Sequence, residues 1–146
     1  MSPMSVAVPV LRVADVARSM EWYRSVLGFE PEPFPAGAPH EFAIMRRGTV
    51  EIMLRHTPYG MRAAKTGDFD VYVRLGGGEL RAFLADVSKR VRVARGPEKM
   101  PYGDVEFDVL DPDGYRLCFG EVLADSSGIP LAGKEPVAER SWSPQA

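Results

Sequence analysis

The chain is poor in the residues that most often staple, chelate or anchor a protein. Of its 146 residues only Cys118 is a cysteine, so no internal disulfide can form. That fits a reducing compartment, and a cytoplasmic location is expected. Only two histidines occur, His40 and His56, and each falls at an expected loop or strand end. There is no basic run, and 18 Lys and Arg nearly balance 20 Asp and Glu. This balance argues against nucleic acid as the main partner. The opening MSPMSVAVPVL has neither a basic leader nor a long apolar stretch, so no signal peptide and no membrane partner are expected. Gly76-Gly77-Gly78 is not followed by Gly-Lys-Ser/Thr, which argues against a phosphate-cradling loop. What remains is a globular composition, 45% hydrophobic, long enough for one domain with a real core.

The clearest local signal lies between Tyr102 and Glu121. Asp111-Pro112-Asp113-Gly114 has the residues of a type I turn, with Pro112 presetting φ and Asp111 able to bond the backbone ahead of it. Val105, Phe107 and Val109 alternate before the turn; Tyr115, Leu117 and Phe119 alternate after it. Such alternation predicts a hairpin with one dry face. The opposite face, with Glu106, Asp108, Arg116 and Cys118, is expected to be wet.

The same plan runs through the rest of the chain. Val6 to Val13 reads as a buried strand, with Pro9 requiring an edge or bulge. Asp15 is placed to cap a helix in which Val16, Met20, Tyr23 and Leu27 share a stripe, and Gly28 suits its end. Phe29 to Ala36 holds three prolines and can be only an edge strand. Glu41–Met45 and Thr49–Arg55 read as strands around Arg46-Arg47-Gly48, and Glu51, Met53 and Arg55 share one face of the second. His56–Gly67 has no period and reads as a loop. Phe69–Leu75 reads as a strand with Asp70, Tyr72 and Arg74 on its polar side. Leu80, Phe83, Leu84 and Val87 predict a short helix, Val91–Ala94 a weak strand and Gly96–Met100 a loop. Beyond Glu121 periodicity is lost, and residues 122–146 are expected to form an extended tail, docked through Trp142 or disordered.

Strand, helix and three strands therefore occur twice. The fold class is α+β: paired βαβββ modules, about 5–56 and 68–121, forming a curved mixed sheet with helices on its outer face. The polar sides would then line a cup.

Val10–Phe29, Phe69–Val87 and Tyr102–Glu121 with its DPDG turn together resemble the vicinal oxygen chelate superfamily of glyoxalases, extradiol dioxygenases and bleomycin-resistance proteins. The resemblance covers roughly Val6 to Glu121. It implies the cup, a homodimer and a small-molecule partner. It also implies where metal ligands would stand: this chain has Val8, Glu51, Asp70 and Cys118 at those places. A catalytic site for zinc or iron needs about three protein ligands and favours imidazole. The expectation is therefore no metal and no cofactor. Glu121 has the opposite strand parity to Cys118 and should point away from the cup.

The resemblance is nearest to the metal-free, bleomycin-resistance type, which binds and sequesters a ligand. Glu51, Arg55, Asp70, Tyr72, Glu106, Arg116 and Cys118 are the candidate ligand-binding residues, and none is assigned a catalytic role. An alternative is a metal-dependent lyase, isomerase or dioxygenase using Glu51, Asp70 and one of Glu121, His40 or His56. A third reading is an interaction module whose charged face is simply hydrated. Charges of both signs on the face favour a polar, mixed-charge or planar ligand over a strongly cationic one.

Overall fold

The computed structural model describes residues 2–59 and 68–122. In the first module, β1 (Val10–Val13) begins just after Pro9, which has no N–H to give a ladder and whose carbonyl accepts from Met53 N at 2.9 Å. Helix α1 (Val16–Leu27) starts where the Asp15 carboxylate accepts the Arg18 N–H at 3.1 Å. It ends at Gly28, whose φ of 74° is the left-handed geometry glycine adopts without strain. Three strands follow: β2 (Glu30–Phe34), β3 (Phe42–Arg47) and β4 (Val50–His56). The sheet order is β1-β4-β3-β2, with β1 parallel to β4 and the other pairs antiparallel. Pro31 and Pro33 confine β2 to an edge, as its composition predicts.

Alternation along these strands sends Leu11, Val13, Ala43, Met45, Ile52 and Leu54 into a core shared with Val16, Tyr23, Val26 and Leu27 of α1. The other sheet face carries Ile44, Glu51 and Met53, all only half-buried, and Arg12 and Arg55, both exposed.

The second module repeats the order. It comprises β5 (Val71–Arg74), α2 (Leu80–Val87), β6 (Arg95–Lys99), β7 (Asp104–Leu110) and β8 (Arg116–Val122). Its sheet runs β5-β8-β7-β6, with β5 parallel to β8. Val71, Val105, Phe107, Val109, Leu117 and Phe119 form the dry face with Leu80 and Val87 of α2. Phe83 of α2 lies 4.9 Å from the Phe119 ring and 5.9 Å from that of Phe107. The fold is thus α+β, two βαβββ modules each with a four-stranded mixed sheet.

Two strands differ from expectation. The expected buried strand Val6–Val13 is only Val10–Val13, with Val6 and Val10 exposed, because alternation turns only Leu11 and Val13 inward. The sequence places a strand at Val91–Ala94 and a loop after it, whereas β6 is Arg95–Lys99. Val91 N is taken by the Val87 carbonyl at 3.1 Å, which closes α2 and delays the strand. Gly96 then admits a bulge: Arg95 pairs with Asp108 and Glu98 with Glu106, one residue more on β6 than on β7. Gly96 has φ of 87°, and a Cβ there would meet the Glu106 carbonyl at 2.5 Å.

The DPDG turn is built as expected, with Gly114 N bonded to the Asp111 carbonyl at 3.0 Å and Asp113 N to Asp111 Oδ1 at 2.9 Å. Asp111–Gly114 forms one compact unit with the first module, whereas the flanking strands β7 and β8 belong to the other. Asp113 accepts from Ala14 N and Ser19 Oγ, each at 3.1 Å, and Asp111 accepts the Tyr23 hydroxyl at 2.7 Å. The expected tail with Trp142, and positions 60–67 of the expected loop, lie outside the described residues.

Candidate functional site

The polar face of the second module holds most of the candidate residues. Strand register sets Tyr72 beside Cys118, Cys118 beside Asp108, and Glu106 beside Gly120. Asp104, Glu106 and Asp108 alternate along β7 and so point the same way. This face was expected to be wet, and here the structure corrects the sequence reading. Glu106, Asp108 and Cys118 are each 0% exposed. A carboxylate survives such burial only when charge and hydrogen bonds compensate it.

Arg95 supplies that compensation. Its Nε donates to Asp108 Oδ2 and its Nη2 to Asp108 Oδ1, each at 2.8 Å, a bidentate fork. Nη2 also donates to Glu106 Oε1 at 2.9 Å, and Nη1 to Glu98 Oε1 at 2.6 Å. These bonds, the one to Asp108 foremost, raise the guanidinium pKa above its ordinary value. The Tyr102 hydroxyl donates to Glu106 Oε2. Asp104 receives the Tyr72 hydroxyl and Arg74 Nη1, the latter at 3.1 Å. Arg116 Nη1 donates to Asp108 Oδ2 at 3.1 Å.

Tyr72 reaches Asp104 by crossing β8 at Gly120. A Cβ on Gly120 would fall inside the Tyr72 phenol, so this glycine is required by close approach. Arg74 lies over the Tyr72 ring, 5.2 Å from its centroid. Burial, and then the bond to Asp104, raise the Tyr72 pKa; burial and the bond to Glu106 do the same for Tyr102. The Cys118 thiol is pushed up by burial first and by Glu106 and Asp108 next. Its sulfur lies 3.7 Å from Arg95 Nη2.

The remaining candidates stand apart from this network. Asp70 is exposed, and its Oδ2 accepts the backbone N–H of Arg116 at 2.9 Å. Glu51 and Arg55 are on β4 of the first module; Glu51 lies 3.7 Å from Arg46 Nε. Arg95, Glu98, Tyr102 and Asp104 are the participants that sequence reasoning missed. The signal for Arg95 was available: three alternating carboxylates on one strand demand a cation on its neighbour. The misplaced β6 concealed it.

The positions that the resemblance gives to metal ligands do not fit a metal. Val8 offers no donor, and the Cys118 sulfur lies 3.7 Å from the Arg95 guanidinium, whose charge would repel a second cation there. Among the described residues, no three His, Cys, Asp or Glu side chains converge as a metal-binding group. Glu121 points to the helix side, as parity predicts, where its Oε1 accepts Leu80 N at 2.7 Å at the start of α2. It is thereby committed to the fold. No helix among the described residues is long and apolar enough to cross a membrane.

A family model described as Glyoxalase/Bleomycin resistance protein/Dioxygenase superfamily matches residues 5–119. No curated protein sequence matches the chain. Among solved structures, TioX from Micromonospora sp. ML1 is similar at TM-score 0.63 and 22% identity, over 82% of this chain and 100% of its own. A lactoylglutathione lyase from Agrobacterium tumefaciens has TM-score 0.63 and 17% identity, over 83% of this chain and 96% of its own. The bleomycin-binding protein of Streptomyces verticillus, complexed with copper(II)-bleomycin, has TM-score 0.56 and 20% identity, over 86% and 100%. At these identities the likeness is one of fold.

Proposed function

The chain belongs to the Glyoxalase/Bleomycin resistance protein/Dioxygenase superfamily, and within it we propose a metal-free binding protein that sequesters a polar or planar small molecule. The observation that carries this reading is the state of the reactive groups on the second module. The thiol and both phenols have raised pKa values and keep their protons at neutral pH. The buried carboxylates are tied to guanidinium groups. A general base or nucleophile needs a proton affinity near the working pH, and the thiol and the two phenols do not supply one. A face so tied is suited to recognition, because its dipoles and charges are fixed before a ligand arrives.

Asp70, Tyr72, Glu106, Arg116 and Cys118 form the proposed binding set on this module. Glu106 and Cys118 act by shaping it from within, since both are fully buried. Glu51 and Arg55 are proposed contacts on the first module's open face. The donor set supports the binding reading, since among the described residues it brings no three metal-ligating side chains together. A homodimer and a cytoplasmic location belong to the same proposal, the first implied by the family and the second by cysteine usage.

A thermal-shift screen against metabolites and antibiotics tests the reading. Hits should raise Tm of the wild-type protein, and the gain should vanish in Asp70→Ala/Arg116→Ala. No hit in the panel would overturn it. So would stoichiometric zinc, nickel, iron or manganese in protein purified without a histidine tag.

A further inference from the structure

We infer that Arg116 is the ligand-reading guanidinium of this face and that it reads an uncharged oxygen acceptor, a carbonyl or amide, on a planar ligand. The inference rests on the binding function proposed above and names its ligand class. Two arginines approach Asp108, and they are used very differently. Arg95 spends all three nitrogens on Glu98, Glu106 and Asp108. It alone occupies both oxygens of Asp108. Arg116 gives Asp108 a single bond through Nη1, and its Nε is buried with no hydrogen-bond partner among the described residues. A guanidinium has five N–H donors, and an unsatisfied buried donor destabilises the group that carries it. An acceptor that draws the Arg116 side chain toward itself satisfies an Nε–H that no described residue accepts, without loosening the Arg95 clamp.

The charge on that acceptor follows from the pairs around it. Among the described residues, the ion pairs on this face join Glu98, Glu106 and Asp108 to Arg95 and Arg116, and separately Asp104 to Arg74. In these pairs carboxylates outnumber guanidinium groups, four to three. Asp70, bonded to the Arg116 backbone, adds another at the same strand end. A further anion would be repelled at close range where screening by water is weak. A neutral carbonyl oxygen takes the Arg116 Nε–H without that penalty. Planarity is favoured by Phe69, which is 45% exposed and packs edge-on to Tyr72 at 5.4 Å, leaving aromatic surface near this edge.

Three probes of one shape separate the possibilities: benzamide, a neutral acceptor; benzoate, an anion; and benzamidine, a cation without an acceptor oxygen. The readout is the Arg116 Nε–H signal in a two-dimensional ¹⁵N spectrum. Benzamide should move this signal saturably and bind at least about tenfold more tightly than either other probe. Benzamide should also shift the backbone amide signals of Asp70 and Tyr72 in the wild-type protein, and in Arg116→Gln and Arg116→Lys, with the spectrum otherwise retained, those amide shifts should be lost. Benzoate or benzamidine binding as tightly as benzamide overturns the inference. So does benzamide binding that survives both variants, or a signal that no probe moves. The broader binding reading fails only if the metabolite panel also leaves the wild-type protein unshifted; panel hits that survive Arg116→Gln refute this inference alone.

Discussion

The two modules share strand order, register type and helix placement, yet they treat their second sheet face in opposite ways. In the first, Arg46 meets Glu32 at 2.5 Å and Glu51 at 3.7 Å, and the side chains are 46%, 51% and 32% exposed to water. In the second, Glu106 and Asp108 have no exposure and depend on Arg95. Topology therefore does not decide whether a charged face is solvent or interior. Side-chain partners do, because a buried charge is tolerated only with a matched counter-charge and satisfied hydrogen bonds.

Removing one arginine from each module should break the comparison most sharply. Arg95→Ala strands two buried carboxylates and should lower stability by ~3–5 kcal/mol in urea denaturation. Arg46→Ala should leave the urea midpoint unchanged within error. Should Arg95→Ala fail to fold, Arg95→Met/Glu106→Gln/Asp108→Asn, which removes the charges together, should recover a cooperative transition. Equal effects of Arg46→Ala and Arg95→Ala would erase the distinction between the faces.

A smaller effect tests the close approach on β8. Gly120→Ala pushes the Tyr72 ring from its place over the strand and should cost ~1–3 kcal/mol. Adding Tyr72→Ala removes the clash, so the double variant should be more stable than the sum of the single effects predicts. Strict additivity would mean that the two residues do not meet.

The smallest effect is silent at neutral pH. Burial raises the Cys118 pKa above the ordinary 9.0, so above that pH the folded state retains a proton that the unfolded state has lost. The thiol's contribution is complete below the unfolded value and declines as pH rises toward the folded one. Stability should therefore fall from about pH 9 upward, more gently in Cys118→Ala. Tyr72 and Tyr102 join the decline above the ordinary phenol value of 10.0. A slope unchanged in Cys118→Ala would show that the thiol does not titrate differently on folding.

Much of the fold was legible because local chemistry and the global arrangement agreed. Asp15 and Gly28 bracket α1 as a cap and a left-handed stop, and the DPDG turn forms where its residues dictate. The apolar alternation of β4, β7 and β8 chose the dry faces correctly, and Glu121 followed its parity to the helix side. The site was less legible. Glu106 and Cys118 were read as open surface because alternation reports which residues share a face and not whether water reaches it. The strand carrying Arg95 was displaced because Val91–Ala94 has stronger β propensity than Arg-Gly-Pro-Glu-Lys.

The sequence by itself determined the modules, their internal strand faces and the scarcity of imidazole ligands, since all of these depend on residue type and spacing. Only the tertiary structure decided which arginine is consumed and which has donors to spare. That choice depends on a bulge at Gly96 and a ring laid over Gly120, contacts between residues far apart in the chain that no periodicity records.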